Sequence, residues 1–152
     1  MRMTVSACDP EHPDALVLAE ELSKALAAIT GASGKASFAA ADARGAGAVF
    51  LVARGDHGAL LGCAALRPHN GAVGEVKRMY ARPGTHGVGK ALLAHIEREA
   101  AAFGYRELWL ETRRANTRAV AFYRMQGYGE IANYGKYVGR DDAICLGKRL
   151  GA

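Results

Sequence analysis

The sequence has few cysteines and no long apolar run, and each absence excludes a class of protein. Its 152 residues include three cysteines placed far apart, which argues against a disulfide scaffold and shows no metal-ligand spacing. No apolar stretch is long enough to cross a bilayer, and residues 1–5 lack the features of a secretory signal. We therefore predict a cytoplasmic protein that contacts no membrane and holds no metal.

The chain is also short of acidic residues, since its formal net charge is +5 at pH 7. The lysines and arginines are scattered among acidic neighbours, as in Glu97-Arg98-Glu99, and no basic run is interleaved with aromatic residues. This distribution disfavours nucleic acid as a partner. A modest positive field suits a small polyanionic ligand equally well.

Hydrophobic spacing predicts a single domain over residues 1–152 with an α/β (α+β) fold. The predicted strands cover 4–7, 48–53, 59–66, 73–81, 107–112, 128–132 and 143–150, and the predicted helices cover 13–29, 88–103 and 116–126. Hairpins that are followed by alternating helices and strands indicate a mixed central sheet with helices on both faces.

Periodicity also predicts which side chains share a face. On the first helix, the expected core stripe consists of Leu16, Ala19, Leu22, Leu26 and Ile29. On the second helix, the expected stripe ends at Phe103. Strict alternation in the strand over 73–81 would place Glu75, Lys77, Met79 and Ala81 on one side of the sheet.

The most informative segment is the glycine turn Gly84-Thr85-His86-Gly87-Val88-Gly89-Lys90, just where a helix begins. Unpaired N–H groups and the helix dipole attract anions there, and glycines let a phosphate approach closely. The turn matches the G-x-x-x-x-G-K pattern of a nucleoside-triphosphate P-loop. However, Ala91 stands where a Mg²⁺-binding hydroxyl is needed, and hairpins precede the turn. A P-loop enzyme is therefore the weaker alternative.

The segments around this turn resemble the acetyl-CoA-binding core of the GNAT family of N-acetyltransferases. Agreement in order and spacing runs through 75–83, the glycine turn, 90–93, 110–116, 119–123 and 127–128. The resemblance implies the GNAT fold, with a splayed strand pair that holds acetyl-CoA. It also implies an acetyltransferase that moves the acetyl group to a primary amine by direct attack in a ternary complex. Gly84 replaces the Arg or Gln that the family usually has, which keeps a non-catalytic CoA-binding module as an alternative.

The resemblance implies which residues bind the cosubstrate. Backbone groups of the strand at Met79, Tyr80 and Ala81 would pair with the pantetheine arm. The pyrophosphate would be held by the turn, at Thr85, His86, Gly87, Val88, Gly89 and Lys90. Asn116 has two compatible roles, since it is a suitable N-cap for the helix that follows and relatives use the corresponding Asn to contact the cofactor arm.

The chemistry needs an acid and a base. Transfer from a thioester expels a thiolate, and the resemblance places Tyr123 where a phenol could protonate it. The acceptor must be a free amine, because an ammonium has no lone pair. A carboxylate could remove that proton, and the candidates are Glu75 and Glu111, near the cleft where the strands separate.

The acceptor is predicted only as a small-molecule or peptide amine. In relatives the segment before the last strand borders the acceptor site, which points to Tyr134, Tyr137 and Arg140, although an exposed loop is the simpler expectation for each. Dimers are common in the family, so a homodimer is compatible with the resemblance, but no residue pattern decides it.

Overall fold

The computed structural model describes residues 2–151, which form a seven-stranded mixed sheet flanked by three α-helices and four short 3₁₀ turns. The helices are α1 (Pro13–Thr30), α2 (Val88–Phe103) and α3 (Thr117–Met125). The strands are β1 (Thr4–Ala7), β2 (Val49–Arg54), β3 (Leu60–Asn70), β4 (Val73–Ala81), β5 (Glu107–Arg113), β6 (Gly129–Ile131) and β7 (Ala143–Arg149). The predicted mixed α/β architecture is confirmed.

The strand order is β1-β2-β3-β4-β5-β7-β6, and within residues 2–151 the only parallel neighbours are β4 and β5. This is not the parallel sheet that a P-loop enzyme requires. In the same part of the chain, no helix is long and apolar enough to cross a membrane.

Helices cover both faces of the sheet, as predicted. On one face, Leu18 of α1 packs with Phe50 and Val52. On the other face, Leu92 and Ile96 of α2 pack with side chains from β2, β3, β4, β5 and β7, and α3 adds Tyr123 to the same cluster. These two apolar layers hold the helices against the central strands. The short strands β1 and β6 form the two edges of the sheet.

The predicted core stripe of α1 is wrong at its two ends. Leu16 and Ile29 are 52% and 50% exposed, whereas Ala15, Leu18 and Leu22 are buried. Compared with the prediction, α1 is rotated about its axis so that the small Ala15 faces β2 and β3. Leu16 therefore lies at the edge of the buried face of the helix. The predicted stripe of α2 fails in the same way at Phe103, which is 42% exposed at its last turn.

A β-bulge in β4 overturns the predicted alternation along that strand. Cys63 pairs with Tyr80 and Ala65 pairs with Lys77, so β4 holds one more residue than β3 over the same length. Arg78 lies within this stretch with φ +53°, an uncommon conformation for a residue with a side chain. Met79 is consequently turned to the core beneath α2, with Val76, and does not share the face of Lys77.

The strands β4 and β5 diverge soon after they meet. Their parallel pairing is confined to 73–75 of β4 and 107–109 of β5. Beyond Glu75, β5 continues to pair with β7 up to Arg113, while β4 continues to pair with β3 up to Ala81. The predicted splayed strand pair is therefore confirmed, and it opens a cleft in the middle of the sheet.

Gly62 of β3 holds β4 in this position through a very close contact. A Cβ atom at Gly62 would lie 2.2 Å from the Tyr80 carbonyl oxygen and 2.9 Å from a Val88 methyl group. We expect Gly62→Ala to lower the free energy of unfolding by about 2 kcal/mol, as overpacking does, measured by urea denaturation.

Gly129→Ala is the matched control, because Gly129 is also in a strand and nothing lies within 4 Å of its Cβ position. Its free energy of unfolding should change by less than about 1 kcal/mol. Equal losses in the two variants would contradict the argument from Gly62.

Candidate active site

A cavity of about 340 Å³ occupies the cleft between β4 and β5. Its walls come from the diverging strands, the C-terminal half of α1, the segment 32–37 and the start of α3. The polar side chains in the wall include Lys77, Glu111, Arg113, Asn116, Tyr123 and Tyr137. Elements that are far apart in the sequence thus contribute polar groups to one space.

The glycine turn lies where the chain leaves β4 and enters α2. Gly87 is the N-cap at φ +72°, and the first amide to bond back in the helix is that of Ala91, which donates to the Gly87 carbonyl over 3.0 Å. The amides of Val88, Gly89 and Lys90 therefore have no acceptor within the helix. Such a row of N–H groups at the positive end of a helix dipole fits a diphosphate.

Gly89 is a glycine because α3 lies against it. A Cβ atom at this position would be 3.3 Å from the Phe122 ring, so a side chain would push α3 away from the turn. Thr85 shapes the loop, since its amide and its hydroxyl both donate to the Arg82 carbonyl, over 3.3 Å and 2.6 Å. His86 and Lys90 are exposed beside the turn.

The strand residues predicted to bind the cosubstrate divide into two groups. Met79 lies in the cavity wall. Tyr80 does not, and its hydroxyl donates to Glu21 of α1 over 3.0 Å. Ala81 is exposed at the end of the strand. Any contact that Tyr80 and Ala81 make with a ligand in the cleft would therefore come from their backbone.

Tyr123 lies on α3 with its ring in the core and 7% of the residue exposed, and it forms part of the cavity wall. Its ring meets those of Phe122 and Tyr128 edge-on, with centroids 5.2 Å and 5.8 Å away. Burial raises the pKa of Tyr123, so the phenol keeps its proton at neutral pH. The structure thus presents a protonated phenol to the cleft.

Asn116 is confirmed as the N-cap of α3, because its side-chain oxygen accepts a hydrogen bond from the Ala119 amide over 3.3 Å. It also lies in the cavity wall. The cap fixes where α3 begins, and the start of the helix determines the position of Tyr123 along the cavity wall.

Glu111 reaches the cavity from β5, with its side chain 9% exposed. Burial raises the pKa of this carboxyl group, against the opposing charges of Arg113 and Lys77. Arg113 also forms an ion pair with it. A buried carboxylate with a raised pKa is a better proton acceptor than an ordinary surface glutamate.

The other candidate base lies outside the cavity wall. Glu75 is 2% exposed, and both of its oxygens are engaged within the protein. One accepts a hydrogen bond from Arg67 Nε over 2.8 Å, and the other accepts one from the Tyr134 hydroxyl over 2.5 Å. The cleft therefore brings Glu111 together with Tyr123 but does not bring Glu75 to them.

Lys77 is a residue of the site that the functional reasoning from sequence missed. Lys77 is 7% exposed, and its ammonium donates to the Tyr137 hydroxyl over 3.0 Å. Tyr134 and Tyr137 are buried, so the expectation of an exposed loop is wrong for both. Little in the sequence signals the role of Lys77, because the same strand also carries the charged residues Glu75 and Arg78. No cluster of metal-binding side chains occurs in the described range, 2–151.

Comparisons with curated proteins identify acetyltransferases. The chain is 42% identical over 91 residues to IAA acetyltransferase of Azospirillum brasilense, which covers 58% of this chain and 59% of that protein. It is 39% identical over 64 residues to the [ribosomal protein bS18]-alanine N-acetyltransferase of Escherichia coli, which covers 40% of this chain and 43% of that protein. The chain thus spans about half the length of these relatives.

Solved structures agree in fold over nearly the whole chain. A GNAT-family acetyltransferase from Staphylococcus aureus superposes with a TM-score of 0.80 at 16% identity, covering 99% of this chain and 100% of the other. The PaiA N-acetyltransferase of Thermoplasma acidophilum, solved in complex with coenzyme A, superposes with a TM-score of 0.74 at 20% identity, covering 98% and 99%. At these identities the likeness concerns the fold. The acetyltransferase (GNAT) family profile matches residues 17–128, and the chain therefore belongs to this family.

Proposed function

We propose that this chain transfers an acetyl group from acetyl-CoA to a primary amine by direct attack in a ternary complex. The observation that carries the proposal is the cavity between β4 and β5, since its wall holds both Glu111 and Tyr123. A carboxylate and a phenol in one cleft can act as the base and the acid that the reaction needs. All seven strands share one sheet, so we propose that residues 1–152 act as a single domain.

Binding of acetyl-CoA would use backbone groups at two places. The unbonded amides of Val88, Gly89 and Lys90 would hold the diphosphate. The edge of β4 beyond Glu75 is no longer paired with β5, so it can pair with the amide-containing pantetheine arm. Both contacts come from the main chain. Gly84, which replaces the Arg or Gln usual in the family, therefore costs one side chain but leaves these backbone contacts intact.

The bound acetyl-CoA supplies an activated thioester, and residues of the protein accept and donate the protons that move during the reaction. Glu111 takes a proton from the acceptor ammonium, which frees the nitrogen lone pair. The nitrogen bonds to the thioester carbonyl carbon as the carbon–sulfur bond breaks. Tyr123 gives its proton to the departing sulfur, and the proton that the acylated nitrogen loses restores the phenol. Glu75 is unsuited to this work, since Arg67 and Tyr134 occupy its oxygens.

Two measurements test the proposal. Thermal unfolding is followed with coenzyme A, acetyl-CoA and Mg-ATP, and thiol release from acetyl-CoA is then followed with a panel of amines. We expect stabilisation by coenzyme A and acetyl-CoA, together with amine-dependent thiol release. Stabilisation by Mg-ATP but not by coenzyme A would contradict the proposal. Binding of coenzyme A without thiol release from any amine would instead indicate a CoA-binding module.

A further inference from the structure

Lys77 is a buried cation whose hydrogen-bonding capacity is mostly unused. Its side chain is 7% exposed and forms part of the cavity wall. An ammonium carries several N–H donors, and within residues 2–151 one hydrogen bond is made, to the Tyr137 hydroxyl over 3.0 Å. Burying a charge without partners is costly. The remaining donors are therefore available to a ligand in the cavity.

The carboxylate nearest to Lys77 compensates its charge in part but makes no hydrogen bond with it. Glu75 Oε2 is 3.9 Å from the ammonium, beyond hydrogen-bond distance, and the same oxygen already accepts the Tyr134 hydroxyl. Burial lowers the pKa of Lys77, against the opposing charge of Glu75. A second anion close to the ammonium would offset this desolvation and stabilise the charged form.

The cavity wall around Lys77 is positive. Its charged side chains are Lys77, Arg78, Arg113 and Arg140 against the single carboxylate of Glu111. Arg78 is directed to α1, where it bonds the Ala19 carbonyl and the Ser23 hydroxyl. Arg113 and Arg140 lie near Asp142, which is 61% exposed. Lys77 is thus the cation that is both deeply buried and short of partners.

We infer that the acceptor is a small amine that also carries a carboxylate, and that Lys77 binds this carboxylate. The inference rests on the proposed function, because Glu111 must receive the proton of the same molecule's ammonium. A single buried ammonium matches the single charge of a carboxylate, whereas a phosphate dianion would leave excess negative charge in the cleft. The Tyr137 hydroxyl accepts a hydrogen bond from the Lys77 ammonium and holds it in place, so Tyr137 is a positioning residue.

The first test is binding of N-acetylated products, which contain no titrating amine. Affinities of N-acetylated amino acids are compared with those of the corresponding amides by calorimetry, on the protein loaded with coenzyme A. We expect the acids to bind at least about tenfold more tightly, as for a hydrogen bond between charged groups. Equal affinities in the wild-type protein would overturn the inference without any variant, and so would tighter binding of N-acetyl phosphoethanolamine.

The second test assigns the effect to Lys77. In Lys77→Met the ratio of acid to amide affinity should fall to about one, and Lys77→Arg should keep part of it. Lys24→Met is the matched control, because Lys24 is an exposed lysine of α1 and should leave the ratio unchanged. A ratio that persists in Lys77→Met would overturn the assignment.

Kinetics with the free amines separate this inference from the proposed function. Amino acids, their amides and their decarboxylated amines are compared as acceptors by thiol release. Thiol release without any preference for the carboxylate would overturn the present inference and leave acetyl transfer standing. Carboxylate binding through Lys77 without thiol release from any amine would overturn acetyl transfer and leave the carboxylate site standing.

Discussion

Replacement of Tyr123 by phenylalanine is expected to lower kcat by at least about tenfold, while the Kd for acetyl-CoA stays nearly the same. The ring would remain packed against Phe122 and Tyr128, so the fold and the cleft should survive. In the proposed mechanism the hydroxyl acts only when the thiolate departs, so its removal should affect turnover more than binding. Steady-state kinetics and calorimetric titration of acetyl-CoA measure the two quantities.

Tyr128→Phe is the matched control for this prediction. Tyr128 is also buried and packs against Tyr123, but its hydroxyl donates to Glu97 over 2.8 Å and the residue lies outside the cavity wall. Its removal should lower the free energy of unfolding by about 1 kcal/mol and leave kcat close to that of the wild type. Unchanged turnover in Tyr123→Phe would remove that residue from the mechanism.

Glu111→Gln is expected to lower kcat/KM by about 100-fold at neutral pH, which is typical for the loss of a general base. The defect should shrink as the pH rises, because an increasing fraction of the acceptor is then already a free amine. Burial raises the pKa of Glu111, so the acidic limb of the wild-type profile should lie above the range of an ordinary glutamate. That limb should be absent in Glu111→Gln, as pH profiles of kcat/KM would show.

Glu75→Gln tests the other carboxylate. The change removes one of the two carboxylates that pair with Arg67, and Asp42 still pairs with it, so we expect the free energy of unfolding to fall by about 2 kcal/mol. The folded fraction should keep most of its turnover. If Glu75→Gln lost turnover to the extent expected of Glu111→Gln while its stability was unchanged, the role of base would pass to Glu75.

The fold was largely predictable, because it depends on local patterns that the sequence displays. Strand and helix boundaries differ from the prediction by only a few residues, and the glycine turn was placed correctly at the start of α2. The bulge in β4 was not predictable in this way. Its positive φ falls on Arg78, a residue type that gives no local signal for that conformation. The conformation is supported by contacts with α1, more than 50 residues earlier in the chain.

The sequence supports a set of candidate site residues but not their arrangement in space. The family resemblance pointed to Tyr123, and the places of Glu75 and Glu111 on neighbouring strands made both of them candidate bases without separating them. Their separation depends on Tyr134, which approaches Glu75 from 59 positions away. Lys77 was overlooked for the same reason, since its importance comes from burial and from its contact with Tyr137.

The guanidinium of Arg78 joins the irregular part of β4 to three points around α1. It donates to the Ala19 carbonyl over 2.8 Å, to the Ser23 hydroxyl over 2.6 Å and to the Ser33 carbonyl over 3.3 Å. The first helix, which forms part of the cavity wall, and β4 are therefore anchored to each other. A change in α1 that adapts the enzyme to a different amine must preserve these three anchor points, or the neighbouring strand loses its kink.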